Sequence, residues 1–164
     1  MTQKNRIAIA ALVVSAAGFV GIAQYEGYTD KAIIPVKGDV PTKGFGTTRG
    51  VKLGDTTTPQ RAMLDLLRDV NIHSEGLKKC IHVPLTQNEF DAYSSLAYNV
   101  GVSAVCNSTI PIKLNAGDYD AACKTILDFN GMCTKRNAVG KCIKFVVIKG
   151  LDNRRKKEYA TCIS

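Results

Sequence analysis

A chain of 164 residues, 45% hydrophobic and 22% charged, has the size and composition of one globular domain and is too apolar to stay disordered. Its formal charge of +8 favours anionic partners, whether bacterial envelope, anionic lipid or nucleic acid. The charge is uneven, because residues 135–157 hold nine Lys or Arg and a single acid, Asp152; by itself such a stretch reads first as a solvated basic face.

Lys4 and Arg6 precede residues 7–23, an uncharged run rich in Ala, Gly and Val at the lower edge of the length that spans a bilayer core. Positive residues ahead of such a run hold that end in the cytoplasm and send the remainder outward. Three roles fit it: a signal peptide cut after Ala23, a permanent anchor, or a weak anchor that leaves the bilayer again. The small-residue composition makes the reversible anchor the expected one. It divides the chain into an anchor segment at 1–24 and a domain at 25–164.

Beyond Tyr25-Glu26-Gly27-Tyr28, a stretch dense in Gly, Pro, Val and Thr runs to Thr58. Gly38-Asp39 has turn chemistry and Val40, Thr42 and Phe45 alternate, which predicts a hairpin over 32–49 inside a β region of about 28–57. Thr58-Pro59 opens a helix with Met63, Leu66, Leu67, Val70 and Leu77 at helical spacing. Thr86-Gln87-Asn88-Glu89 is a capping box, followed by an apolar stripe of Phe90, Tyr93, Ala97 and Val100 that Gly101 closes. Short helices are predicted over 109–116 and 118–129, and a last one from Asp152. Residues 131–150 stay open, since Phe145-Val146-Val147-Ile148 suits a strand or a buried helix. The fold class is α+β and mainly helical.

Six cysteines, none in a C-x-x-C pair, point to disulfides and an oxidising compartment. Cys133 and Cys142 flank a turn-prone stretch and are the expected local bridge. Cys80–Cys106 and Cys123–Cys162 complete the expected set, with buried free thiols as the alternative.

The chain has no phosphate loop, nucleophile elbow, dinucleotide fingerprint or metal motif, so neither metal nor cofactor is expected. Carboxylate chemistry remains. Glycoside hydrolysis needs one carboxyl group to protonate the leaving oxygen and usually a second group to manage water. Glu26, where an apolar segment meets a Gly-rich hairpin, is the candidate acid, although in isolation it reads as a surface carboxylate.

Glu26-Gly27 followed by Pro41-Thr42-Lys43-Gly44-Phe45-Gly46-Thr47-Thr48 resembles the phage-type lysozymes, glycoside hydrolase family 24. Residues 84–92 with 98–101, residues 108–119, and Gly150-Leu151 with Arg154, Arg155 and Glu158 resemble later stretches of that family in the same order. The resemblance implies a lysozyme-like fold with a small β region, a helical lobe and a glycan cleft between them. It implies Glu26 as general acid on the β-1,4 bond between N-acetylmuramic acid and N-acetylglucosamine, Thr42 holding the attacking water, and inversion at the anomeric centre. The family's usual Asp, six residues before that Thr, has no counterpart, because Pro35 and Val36 occupy the matching positions. Asp39 is the expected substitute, with Asp30 or no second carboxylate as alternatives. Arg154 or Arg155 is expected near Glu26, or else on a basic surface.

The N-terminal run is similar to the signal-arrest-release segments of some endolysins. Those use the host's secretion machinery, wait tethered to the inner membrane of a Gram-negative host, and are then released into the periplasm. No cysteine precedes residue 80, so activation by disulfide exchange from the anchor is excluded and a conformational route is expected. Peptidoglycan is the implied substrate, with a monomer and no nucleic-acid partner expected. The alternatives are a non-enzymatic basic module acting through 135–157 and a lytic transglycosylase on the same substrate.

Overall fold

The computed structural model describes residues 4–36 and 38–164, and Lys37 in the expected hairpin lies outside them. Seven α-helices and two separate two-stranded antiparallel sheets make up the described chain, in line with an α+β, mainly helical fold.

Helix α1 spans Ala16–Glu26 and starts where the Ser15 side chain accepts from the Gly18 N–H. The expected boundary between residues 24 and 25 therefore falls inside one helix. The run at 7–23 lies against the domain: Leu12 and Ile22 are fully buried, and Ile9 nearly so. Ile7 and Leu85 exchange backbone hydrogen bonds of 2.9 and 3.0 Å. Among the described residues no helix is long and apolar enough to cross a membrane.

Strands β1 (Thr29–Ile33) and β2 (Thr42–Gly44) form the small β region. The pairing begins earlier than the expected 32–49, and the alternation through Val40 and Phe45 yields only a three-residue strand. Gly44 explains part of this. Its φ is 65°, and a Cβ there would stand 2.8 Å from the Ala62 Cβ, so the hairpin presses on the next helix only through a bare backbone.

That helix, α2 (Pro59–Leu77), is capped by Thr58 as expected. Helix α3 (Gln87–Val100) carries the complete capping box and is the central element, packed on α1, α2 and α7. Its apolar stripe proves to be only part of a burial that takes in every residue at 89–97. Glu89, Asp91 and Ser95 are satisfied by partners remote in sequence, whereas the buried Ser94 hydroxyl has none among the described residues. Arg6 pairs with Glu89 at 2.6 Å, the Ser15 backbone and hydroxyl both donate to Asp91, and the Ser95 hydroxyl donates to Glu158 at 2.6 Å.

Helices α4 (Val102–Cys106), α5 (Thr109–Asn115) and α6 (Tyr119–Thr125) follow, and α6 runs into a 3-10 turn at Ile126–Phe129. Residues 131–150 resolve as an exposed hairpin, β3 (Gly131–Arg136) with β4 (Cys142–Val147), so the buried-helix option is excluded. Helix α7 (Lys149–Ile163) starts three residues before the expected Asp152, with Gly150 in its first turn.

The three disulfides are Cys80–Cys106, Cys123–Cys162 and Cys133–Cys142, as expected. Cys123–Cys162 closes the longest loop, 39 residues, and ties α6 to α7. Replacing both cysteines by Ser is expected to cost about 4 kcal/mol through the freed unfolded chain. Calorimetry should register this as a fall in Tm of roughly 10 °C.

Candidate active site

Glu26 is the last residue of α1, and Gly27 ends the helix with a φ of 61° that turns the chain into β1. The Glu26 side chain is 19% exposed. Its Oε1 accepts from Arg154 Nη1 at 3.0 Å. Arg154 sits on α7 and is itself buried, with Nε on Glu158 Oε1 at 3.1 Å, Nη2 on the Ser95 carbonyl at 3.4 Å, and its guanidinium 4.5 Å from the Tyr25 ring centre. Arg155 is fully buried, pairs with Glu158 at 2.8 Å, and donates to Asn99 Oδ1 at 3.0 Å. Burial depresses the Arg155 pKa, and the facing Glu158 opposes that shift.

Two guanidinium groups thus face two carboxylates, Glu26 and Glu158. The balance matters, because an uncompensated charge at this depth would cost several kcal/mol. Of the two expected arginines, Arg154 meets the candidate acid directly, whereas Arg155 acts behind it, anchoring Glu158 and Asn99. Arg154→Ala is expected to reduce lytic activity roughly 10²-fold by letting the Glu26 carboxyl swing away from its working position. Wild-type activity in that variant, with unchanged stability, would remove the positioning role.

Glu26 opens on a polar cleft of about 280 Å³ lined by Gly46, Thr48, Arg49, Asp69, His73, Tyr98 and Asn99. An adjoining hollow shares Arg49 and Asp69 and continues past Lys43, Thr57 and Arg61, which extends the groove along the face between the β region and α2. Gly46 has a φ of 87°, and a Cβ built there would come 3.4 Å from Glu26 Oε2 and 3.7 Å from the Tyr98 hydroxyl. The second glycine of the Thr-x-Gly-x-Gly stretch therefore keeps the space beside the carboxyl group free. Tyr98 donates to the Phe45 carbonyl at 3.2 Å and stacks edge-on against His73, whose Nδ1 lies 2.7 Å from the Asp69 carbonyl. Burial and the nearby Glu26 and Asp69 carboxylates push the Tyr98 phenol pKa up, so it stays a neutral donor. The Thr47 hydroxyl donates to Asp69 Oδ2 at 3.2 Å and ties the hairpin to α2.

Thr42 and Asp39 are not among the residues lining this cleft. The Thr42 hydroxyl donates to the Val40 carbonyl at 3.2 Å, and Asp39 is exposed, its backbone N–H bonded to the Val36 carbonyl at 2.9 Å. Asp30 is also exposed, on β1. Sequence reasoning missed Asp69, His73 and Arg49. Asp69 and His73 stand four apart on one face of α2, but a polar pair at that spacing carries the same pattern as any solvated helix face.

Residues 23–158 match the profile of the Phage lysozyme family. The chain is 35% identical over 147 residues to an endolysin of Acyrthosiphon pisum secondary endosymbiont phage 1, covering 90% of this chain and 95% of that protein. It is 34% identical over 149 residues to a SAR-endolysin of Pseudomonas phage phiKMV, covering 90% and 87%. The fold superposes with a TM-score of 0.79 on an endolysin from Escherichia coli O157:H7 phage FAHEc1, at 32% identity, covering 94% of this chain and 95% of that one. With a buried arginine pair behind Glu26 on a polar groove, the chain belongs to the phage lysozyme family and is a lysozyme-type hydrolase.

Proposed function

We propose that Glu26 is the general acid of a peptidoglycan-lysing endolysin, cutting the β-1,4 bond between N-acetylmuramic acid and N-acetylglucosamine. The single observation that carries the assignment is the placement of Glu26, partly buried, held by Arg154, and beside the bare backbone of Gly46 in a polar groove. The relatives named above support the lytic enzyme, and neither the non-enzymatic basic module nor the transglycosylase is supported.

In this reading the protonated Glu26 gives its proton to the glycosidic oxygen as the bond to the anomeric carbon breaks. A water then adds to that carbon from the opposite face of the sugar and inverts it. Thr42 orders the water, and Asp39 accepts its proton in the family's missing-Asp role. Asp39 stands in the connection between β1 and β2, three residues before Thr42. Full activity in Asp39→Asn would end the Asp39 assignment and leave Thr42 to order the water alone.

The N-terminal segment supports a second layer. The relative from phage phiKMV is a SAR-endolysin, and α1 is continuous from the weakly hydrophobic run to Glu26. Export to the periplasm through the host's secretion machinery, tethering by residues 7–23 and later release would make docking of that run the step that places Glu26. Mass analysis of fragments released from purified sacculi tests the chemistry. Saturated fragments with reducing N-acetylmuramic acid ends are expected; 1,6-anhydro ends would replace hydrolysis with transglycosylation.

A further inference from the structure

The hairpin of β3 and β4 stands apart from the machinery above. It is anchored at its base, where the Ile148 N–H donates to the Asn130 carbonyl at 2.9 Å, and is stapled by Cys133–Cys142. No other element packs extensively on it among the described residues. Two-stranded hairpins are marginal in water, and an exposed apolar edge is normally blunted by charge or Pro. Here charge and exposed apolar side chains stand on the same hairpin. Phe145 and Val147 lie two apart in the regular part of β4 and so share a face; they are 52% and 56% exposed, and Ile143, where the register shifts, is 55% exposed. Met132 and Val146, register partners on the opposite face, are also exposed, as is Val139.

The charges are all of one sign. Residues 131–149 carry Lys135, Arg136, Lys141, Lys144 and Lys149 and no acid. All five are exposed, and none forms an ion pair among the described residues. Lys135 and Lys144 are register partners across the ladder, a like-charge pairing that weakens an isolated hairpin. Exposed apolar side chains on both faces of the hairpin, interleaved with unpaired cations, match one kind of surface, the interface of an anionic bilayer. There phosphates meet the cations and the acyl boundary takes the apolar side chains. A nucleic acid would leave Ile143, Phe145 and Val147 uncovered, and a second copy would set the two cationic rims against each other.

We propose that the β3–β4 hairpin is a docking element for anionic phospholipid membranes, distinct from the N-terminal run and from the glycan cleft. It would hold the released enzyme at the membrane surface, at the edge of the peptidoglycan layer.

The test uses the full-length protein with phosphatidylglycerol-containing vesicles and with phosphatidylcholine vesicles. The chain has no Trp, so Phe145→Trp supplies a single reporter. A blue-shifted emission with the anionic vesicles and none with the neutral ones is expected, and no shift with either would overturn the proposal. The variant Ile143→Ser/Phe145→Ser/Val147→Ser should co-sediment with anionic vesicles at least about tenfold less than wild type, and Lys135→Gln/Lys144→Gln should lose a similar factor. Both should cleave purified sacculi at the wild-type rate, which shows that they fold. Because the N-terminal run is unchanged in every variant, equal sedimentation of wild type and variants would assign membrane binding to that run and overturn the proposal. So would lipid-free dimerisation that the serine variant abolishes, or binding of a DNA duplex that depends on the same apolar residues.

Discussion

Glu26→Gln is expected to lower the rate of peptidoglycan cleavage by roughly 10²–10⁴-fold while leaving the protein able to bind sacculi. The amide keeps the shape of the carboxyl group, and its oxygen can still accept from Arg154 Nη1, so the groove beside Gly46 keeps its form. What disappears is a group that can hand a proton to the leaving oxygen. The substitution also leaves the buried arginines with Glu158 as their only carboxylate partner there. Glu26 keeps part of its side chain in solvent, so the stability loss should be about 1–2 kcal/mol, below the roughly 3–5 of a fully buried pair. Turbidity clearing and sugar release measured on the same samples separate the two effects. Sugar release at the wild-type rate from Glu26→Gln would mean that another group is the acid, and Asp69 in the same cleft would be the next to test.

Local chemistry was the readable part of the fold. Thr58 with Pro59 and Thr86 with Glu89 start their helices where expected, because a cap is satisfied within three or four residues and needs no knowledge of the remainder. The disulfide pairs were also legible, and the family resemblance pointed to Arg154 or Arg155 near Glu26 without deciding which; Arg154 is the one that meets it. Two things were not. Asp91 and Ser95 look like the wet face of α3, yet they are buried because Ser15 and Glu158 come to them from distant parts of the chain. The run at 7–23 has a composition that fits a bilayer or a protein core equally, since both are apolar media, and only the packing partners distinguish them.

Those partners make the N-terminal run the site of the second large effect. Leu12→Ala is expected to destabilise the soluble enzyme by about 2–5 kcal/mol, roughly 10 °C in Tm, because Leu12 is 1% exposed among the side chains of the main core. A hydrophobic tail merely resting on the surface would lose less than about 0.5 kcal/mol from the same change. Gly18→Ala probes the docking more finely. A Cβ at Gly18 would lie 2.6 Å from Asp91 Cγ, and Asp91 is held in place by Ser15 and Gln87, so α1 must lift from α3 to admit it. The same methyl group makes the run more hydrophobic. Under the tethering proposed above, both effects push one way, towards the membrane-inserted form and away from the docked one. Gly18→Ala should therefore raise the membrane fraction of the enzyme in cells and delay lysis, while Leu12→Ala also weakens the docked form but makes the run less hydrophobic. Cell fractionation beside thermal melts of the soluble protein tells these apart. If both variants melted like wild type, residues 7–23 would be a passenger on the fold, and docking could not be what places Glu26.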